Sequence, residues 1–88
     1  MSEEPIRGTV TLVNPDGLHL RPLTTLVREM ADFDAEVSIT FAGNVASTKS
    51  AMELMVLGAA CGSELSIEAT GAQAAEALQK VIEILSRP

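Results

Sequence analysis

The chain is 88 residues long, a length that holds one domain with one modest core. Apolar residues make up 47%, which excludes disorder, and the only aromatics are Phe33 and Phe41, which excludes a stacking platform for single-stranded nucleic acid. A net charge of -6 excludes a general phosphate-backbone binder, and one Cys with one His excludes an internal disulfide or a four-ligand zinc site.

Residues 1–5 are acidic and polar, unlike a signal peptide, and they and residues 87–88 are expected to fray. Ile6, Gly8, Val10 and Leu12 alternate with Arg7, Thr9, Thr11 and Val13, the period of a half-buried strand. Asn14-Pro15-Asp16-Gly17 is a cluster of turn formers that ends it. Leu23, Leu26, Val27 and Met30 then fall on one face of a helix, with Thr24, Thr25, Arg28 and Glu29 opposite. Pro22 fits the first turn, so this helix begins near His19 or Leu20. Val37, Ile39 and Phe41 mark a second strand. Gly43-Asn44 supplies residues that tolerate positive φ, giving a tight hairpin into a short third strand over 45–47. Ser50 stands near the cap of a short helix that runs from Ala51 to about Val56, and Gly58 is its stop.

Leu65, Ile67 and Ala69 alternate with Glu64, Ser66 and Glu68 in a fourth strand. Ala74, Leu78, Val81, Ile82 and Leu85 keep helical spacing to near the end. The order βαββαβα gives an α+β fold, with helices on one face of a mainly antiparallel sheet. The longest apolar run, Leu54 to Cys61, is broken by Gly58 and too short to span a bilayer. The chain is therefore expected to be cytoplasmic, with no membrane insertion.

One constellation stands out: Gly17-Leu18-His19-Leu20-Arg21-Pro22, with the single His at a helix start. A helix N-terminus carries about half a positive charge and disfavours an imidazolium by about 0.3–1 kcal/mol. The neutral imidazole is a nucleophile. Once phosphorylated, it would present a dianion to the same N–H groups and to Arg21, which stabilise it. The competing reading makes His19 an ordinary capping or surface residue. No Ser-His-Asp arrangement, Walker-type loop or carboxylate pair accompanies it, which suits a carrier of a group and not a stand-alone enzyme.

These residues, with Leu23, resemble the active-site motif of the HPr family, Gly-Leu/Ile-His-Ala-Arg-Pro-Ala. HPr proteins are the histidine-containing phosphocarriers of the bacterial phosphoenolpyruvate-dependent sugar phosphotransferase system. The family's second segment, Lys-Ser before a Met-containing short helix and Leu-Gly, appears as Lys49-Ser50-Ala51-Met52 through Leu57-Gly58. The resemblance covers about residues 5–86. It implies an open-faced β-sandwich of four antiparallel strands with three helices on one face.

By position, the resemblance makes His19 the phosphoryl acceptor through Nδ1 and Arg21 the residue that steadies the phosphate. Ser50 matches a serine that an ATP-dependent kinase modifies in some bacteria, or it is a plain helix cap. Leu20, Thr24, Arg28, Lys49, Ala51, Met52 and Met55 form the expected partner surface, with Leu20 exposed and Leu23 buried. Leu20 and Leu23 depart from the small residues usual in the family and bear on which partners dock. Cys61 is expected to be a bland, partly exposed thiol. The implied partners are enzyme I, EIIA-type domains and an HPr kinase/phosphorylase. Neither cofactor nor metal is called for, no nucleic acid is expected, and the chain is expected to be monomeric. A regulatory HPr-like protein of nitrogen or carbon control is the alternative. A small-ligand module or an acylphosphatase is a third reading, and the latter lacks its phosphate-cradling Arg loop.

Overall fold

The computed structural model describes residues 4–87, and the fraying expected of 1–3 and 88 lies outside them. Glu4 and Pro5 have no regular structure, while Arg87 pairs with Glu83 at 2.9 Å. The elements are β1 (Ile6–Thr11), α1 (Leu20–Met30), β2 (Glu36–Phe41), β3 (Asn44–Ser47), α2 (Ala51–Val56), β4 (Glu64–Thr70) and α3 (Ala74–Leu85). This is the βαββαβα order that the patterning predicts.

The four strands lie in the order β1-β4-β2-β3, and every pairing is antiparallel. β1 and β2 thus run the same way, and their connection through α1 leaves a gap that β4 fills. Ile39 pairs with Ala46 on one side and Ile67 on the other, and Ile67 pairs in turn with Gly8. Ile39 and Ile67 therefore sit at the centre of the sheet, fully buried. The alternation is clean in β4: Leu65, Ile67 and Ala69 are buried, and Glu64, Ser66 and Glu68 face solvent on the open side. The helices cover the apolar side with Leu23, Leu26 and Met30 from α1, Leu54 from α2, and Ala77 and Val81 from α3. Burying one Leu of this kind stabilises by about 1.5–3 kcal/mol.

The packing departs from the simple pattern in three places. Ile6 alternates correctly yet remains exposed, because it begins an edge strand. Leu78 and Ile82 are half-buried, and the inner stripe of α3 is Ala74, Ala77, Val81, Ile84 and Leu85. Leu78 and Ile82 instead lie over β1, where Gly8 leaves room: a Cβ there would stand 3.2 Å from Ile82 Cδ1. The hairpin also turns one residue earlier than Gly43-Asn44. Phe41 pairs with Asn44, so Ala42 and Gly43 form the turn, with φ of 53° and 83°. A two-residue type I′ turn needs positive φ at both central positions, and the β2–β3 register decides which residues take it. Asn44 consequently starts β3, one residue before the expected boundary.

Candidate functional site

β1 leads into the turn that carries the Gly-Leu-His motif. The Asn14 side chain accepts a hydrogen bond from the Asp16 N–H, and the Asn14 carbonyl accepts one from Gly17, each at 2.9 Å. Asn thereby builds the turn from its own side chain and backbone. Gly17 follows at φ 68°. The Leu18 N–H then donates to the Ala59 carbonyl at 3.0 Å, in the loop between α2 and β4.

His19 occupies the N-cap of α1 with extended backbone, φ -131° and ψ 175°. Its imidazole caps nothing, since no side-chain bond reaches the helix N–H groups. The ring is partly buried, and its Nε2 is buried without a hydrogen-bond partner among the described residues. The N–H groups of Leu20 and Arg21 have no carbonyl within α1 to bond, and Pro22 has no N–H. No acidic side chain stands in this first turn to use the positive end of the helix.

His19, Leu20, Arg21, Thr24, Thr25 and Arg28 line one shallow hollow of about 650 Å³. Arg21 and Arg28 are exposed there, and neither forms an ion pair among the described residues. No carboxylate lines the hollow, so an acidic molecule presents a locally positive concavity. The hydroxyls of Thr24 and Thr25 donate back to the Leu20 and Arg21 carbonyls at 2.7 and 3.4 Å.

The second motif lies on α2. Ser50 is its N-cap, with Oγ accepting from the Glu53 N–H at 3.2 Å. The Glu53 carboxylate reaches back and accepts the Ser47 N–H at 3.0 Å. This is a variant of the capping box, and the spacing Ser50-x-x-Glu53 is a signal for it that the sequence reading did not use. Met52 and Met55 are exposed, and Ala51 is half-buried. Met52 lines a second hollow, of about 450 Å³, together with Val45 and Val56. Those two exposed valines were not foreseen; Val56 stands one turn after Met52, which is the signal for it. Nor was Thr25, one residue from Thr24 on the same helix. Lys49 is not in the hollow around His19. Its Nζ is 3.4 Å from the Glu36 carboxylate in an exposed pair, a kind worth about 0–1 kcal/mol. Leu20 is 61% exposed and Leu23 fully buried, as the helix face requires, and Cys61 is exposed. Among the described residues no cluster of three metal-ligating side chains occurs, and no helix is long and apolar enough to cross a membrane.

Comparison with known proteins covers nearly the whole chain. The family model PTS-HPr, described as the PTS HPr component phosphorylation site, matches residues 6–87. The phosphocarrier protein HPr of Vibrio cholerae is 36% identical over 78 residues, spanning 89% of this chain and 92% of its own length. The crystal structure of the HPr of Bacillus anthracis superposes with a TM-score of 0.88 at 29% identity, covering 93% of this chain and 98% of that one. The solution structure of Crh, the Bacillus subtilis catabolite repression HPr, gives a TM-score of 0.69 at 29% identity, covering 94% and 99%.

Proposed function

This chain belongs to the HPr family, and from that premise we propose that it is a phosphocarrier whose His19 accepts a phosphoryl group from enzyme I and passes it to EIIA-type domains. The observation that carries the reading is the His19 ring itself. It holds the N-cap position without capping and opens on a hollow whose two arginines have no ion-pair partner, and which no carboxylate lines, among the described residues. Nε2 is buried without a partner among the described residues, which supports Nδ1 as the attacking nitrogen. In the neutral tautomer with the proton on Nε2, the Nδ1 lone pair attacks phosphorus. The P–N bond forms as the bond to the donor breaks, and the reverse step hands the group on. Arg21 and the first N–H groups of α1 take up the charge of the phosphoryl oxygens. No covalent machinery beyond the imidazole is required, as befits a carrier.

Leu20, Thr24 and Arg28 on α1, with Ala51, Met52 and Met55 on α2, form the partner surface in this reading. Lys49, held by Glu36, lies at its margin. Ser50 is the candidate kinase site, and the protein works as a cytoplasmic monomer. The likeness to the catabolite repression protein favours a second reading, a regulator that binds its targets without moving sugar. A phosphorus NMR spectrum after incubation with phosphoenolpyruvate and enzyme I tests the first. An acid-labile phosphoramidate is expected in the wild type and absent in His19→Ala. Equal labelling of both rules the acceptor out. A labelled His19 that no EIIA domain discharges turns the assignment to the regulatory reading.

A further inference from the structure

We propose that Gly17 is a positioning residue for the reaction at His19, acting through the backbone of Ala59 and Ala60 in the loop between α2 and β4. This deepens the phosphocarrier reading and rests on it. Two residues before the nucleophile, the chain closes onto that loop more tightly than any side chain permits. A Cβ on Gly17 would lie 2.5 Å from the Ala59 carbonyl oxygen and 2.9 Å from Ala60 Cα. Both obstacles are backbone atoms, which cannot swing aside as the end of a flexible side chain can. Gly17 also has φ 68°, a region that a residue with a Cβ enters at a cost.

The loop on the other side of the contact is itself held. Gly62 N–H donates to the Leu12 carbonyl at 2.8 Å, and Leu12 N–H donates to the Ser63 carbonyl at 2.9 Å. Ser63 Oγ accepts from the Ala60 N–H at 3.2 Å, and the Ala59 side chain is buried in the core. The Ala59 carbonyl is thus a fixed point, and the Leu18 N–H is tied to it at 3.0 Å. His19 is the next residue and makes no side-chain cap bond of its own. With nothing else binding the ring to α1, the Gly17–Leu18 contact sets where the imidazole stands at the head of the helix. The α2–β4 loop belongs to the site although it presents no side chain to it.

Two readings test this, one of which does not involve phosphoryl transfer. The chain contains a single His, so the ultraviolet absorbance of carbethoxy-imidazole formed with diethylpyrocarbonate reports the reactivity of His19 alone. In a folded Gly17→Ala variant that rate, and the NMR signals of the His19 ring, should change. With enzyme I as donor, kcat should fall by about ten- to a hundredfold with KM little altered, since a displacement of about 1 Å at a reacting group has effects of that order. Gly17→Asn, which tolerates the backbone angle but keeps the Cβ, should behave like Gly17→Ala. Wild-type ring signals and modification rate in either folded variant overturn the proposal. Changed ring signals in the variant, beside a wild type that takes no phosphoryl group, leave the positioning intact and remove the phosphocarrier reading instead. If Gly17→Ala does not fold, replacing the Leu18 amide by an ester, by ligation at Cys61, removes the N–H that bonds to Ala59 and adds no side chain. An unchanged ring in that protein refutes the inference equally.

Discussion

At the head of α1 the backbone and side chain of His19 do different work. The backbone starts the helix, with its carbonyl accepting from the Leu23 N–H at 3.3 Å, and the ring remains free for chemistry. Arg21 stands in the same hollow without a carboxylate partner among the described residues, so its guanidinium is available to an anion. A charge-assisted hydrogen bond of this kind contributes about 1.5–3 kcal/mol, so Arg21→Ala should slow transfer about ten- to a hundredfold at unchanged melting temperature. Stopped-flow transfer from enzyme I, beside a thermal melt, reads both quantities. Unchanged kinetics would give Arg21 no part in the step. The two leucines flanking the motif separate docking from folding. Leu20→Asp places a charge on an exposed site and should weaken enzyme I binding with little loss of stability. Leu23→Asp buries an unpaired carboxylate, which costs several kcal/mol, a large part of the roughly 4–13 kcal/mol expected for this length. A silent Leu23→Asp beside an unfolded Leu20→Asp would reverse the assigned helix face.

Among the elements, α2 is short enough to depend on its cap. Ser50 holds the Glu53 N–H, and Glu53 holds the Ser47 N–H, so the two residues fasten the β3–α2 turn from both ends. Aspartate is as good a cap as serine, so Ser50→Asp should leave the melting temperature within a few degrees. It places a second carboxylate beside Glu53 on the face next to Met52, and enzyme I affinity should drop through repulsion of an acidic partner. Calorimetric titration against enzyme I settles whether binding or folding responds. The β2–β3 hairpin carries a different weakness. Ala42 sits at φ 53°, where a residue other than Gly or Asn is strained by about 1–2 kcal/mol. Ala42→Asn completes the Asn-Gly pair that a type I′ turn prefers and should raise stability by about 0.5–1 kcal/mol. Chemical denaturation with an unchanged m-value measures the gain, and a loss would show the side chain meeting something in the turn.

In the whole molecule, stability concentrates where distant segments meet. Ile67 in β4 pairs with Gly8 of β1 and Ile39 of β2, so the last strand joins two that are separated in the chain by α1. Ile67→Ala should cost about 2–5 kcal/mol and lower the melting temperature sharply, because the close-packed surroundings cannot collapse into the cavity. Denaturant unfolding followed by circular dichroism measures it, and a cost under about 1 kcal/mol would place the centre of the core elsewhere. Charge is arranged at the same scale. A chain of net charge -6 gathers Arg21 and Arg28 around His19 and leaves the carboxylates of Glu64 and Glu68 on the open side of the sheet. The potential near the nucleophile is therefore set by local placement and not by the sum.

Much of this was legible in the residues. Period-two and helical spacing determined the seven elements and their order, because each element must bury one face whatever its neighbours are. The Gly-Leu-His-Leu-Arg-Pro run determined the candidate site, because a helix start beside a lone His needs only adjacent residues. Strand order was not legible, since nothing local tells β4 to enter between β1 and β2. The same holds for the turn at Ala42–Gly43, which the pairing of Ile39 with Ala46 selects over Gly43–Asn44. Lys49 read as part of the partner surface beside Arg28, and only the folded chain shows it paired with Glu36 from β2. Gly17 gave no sign of its partner, because Ala59 lies more than forty residues away and offers a carbonyl, which every residue has. Local pattern decides which residues form an element and which carry chemistry. Contacts made by backbone across the chain decide where the chemistry is held.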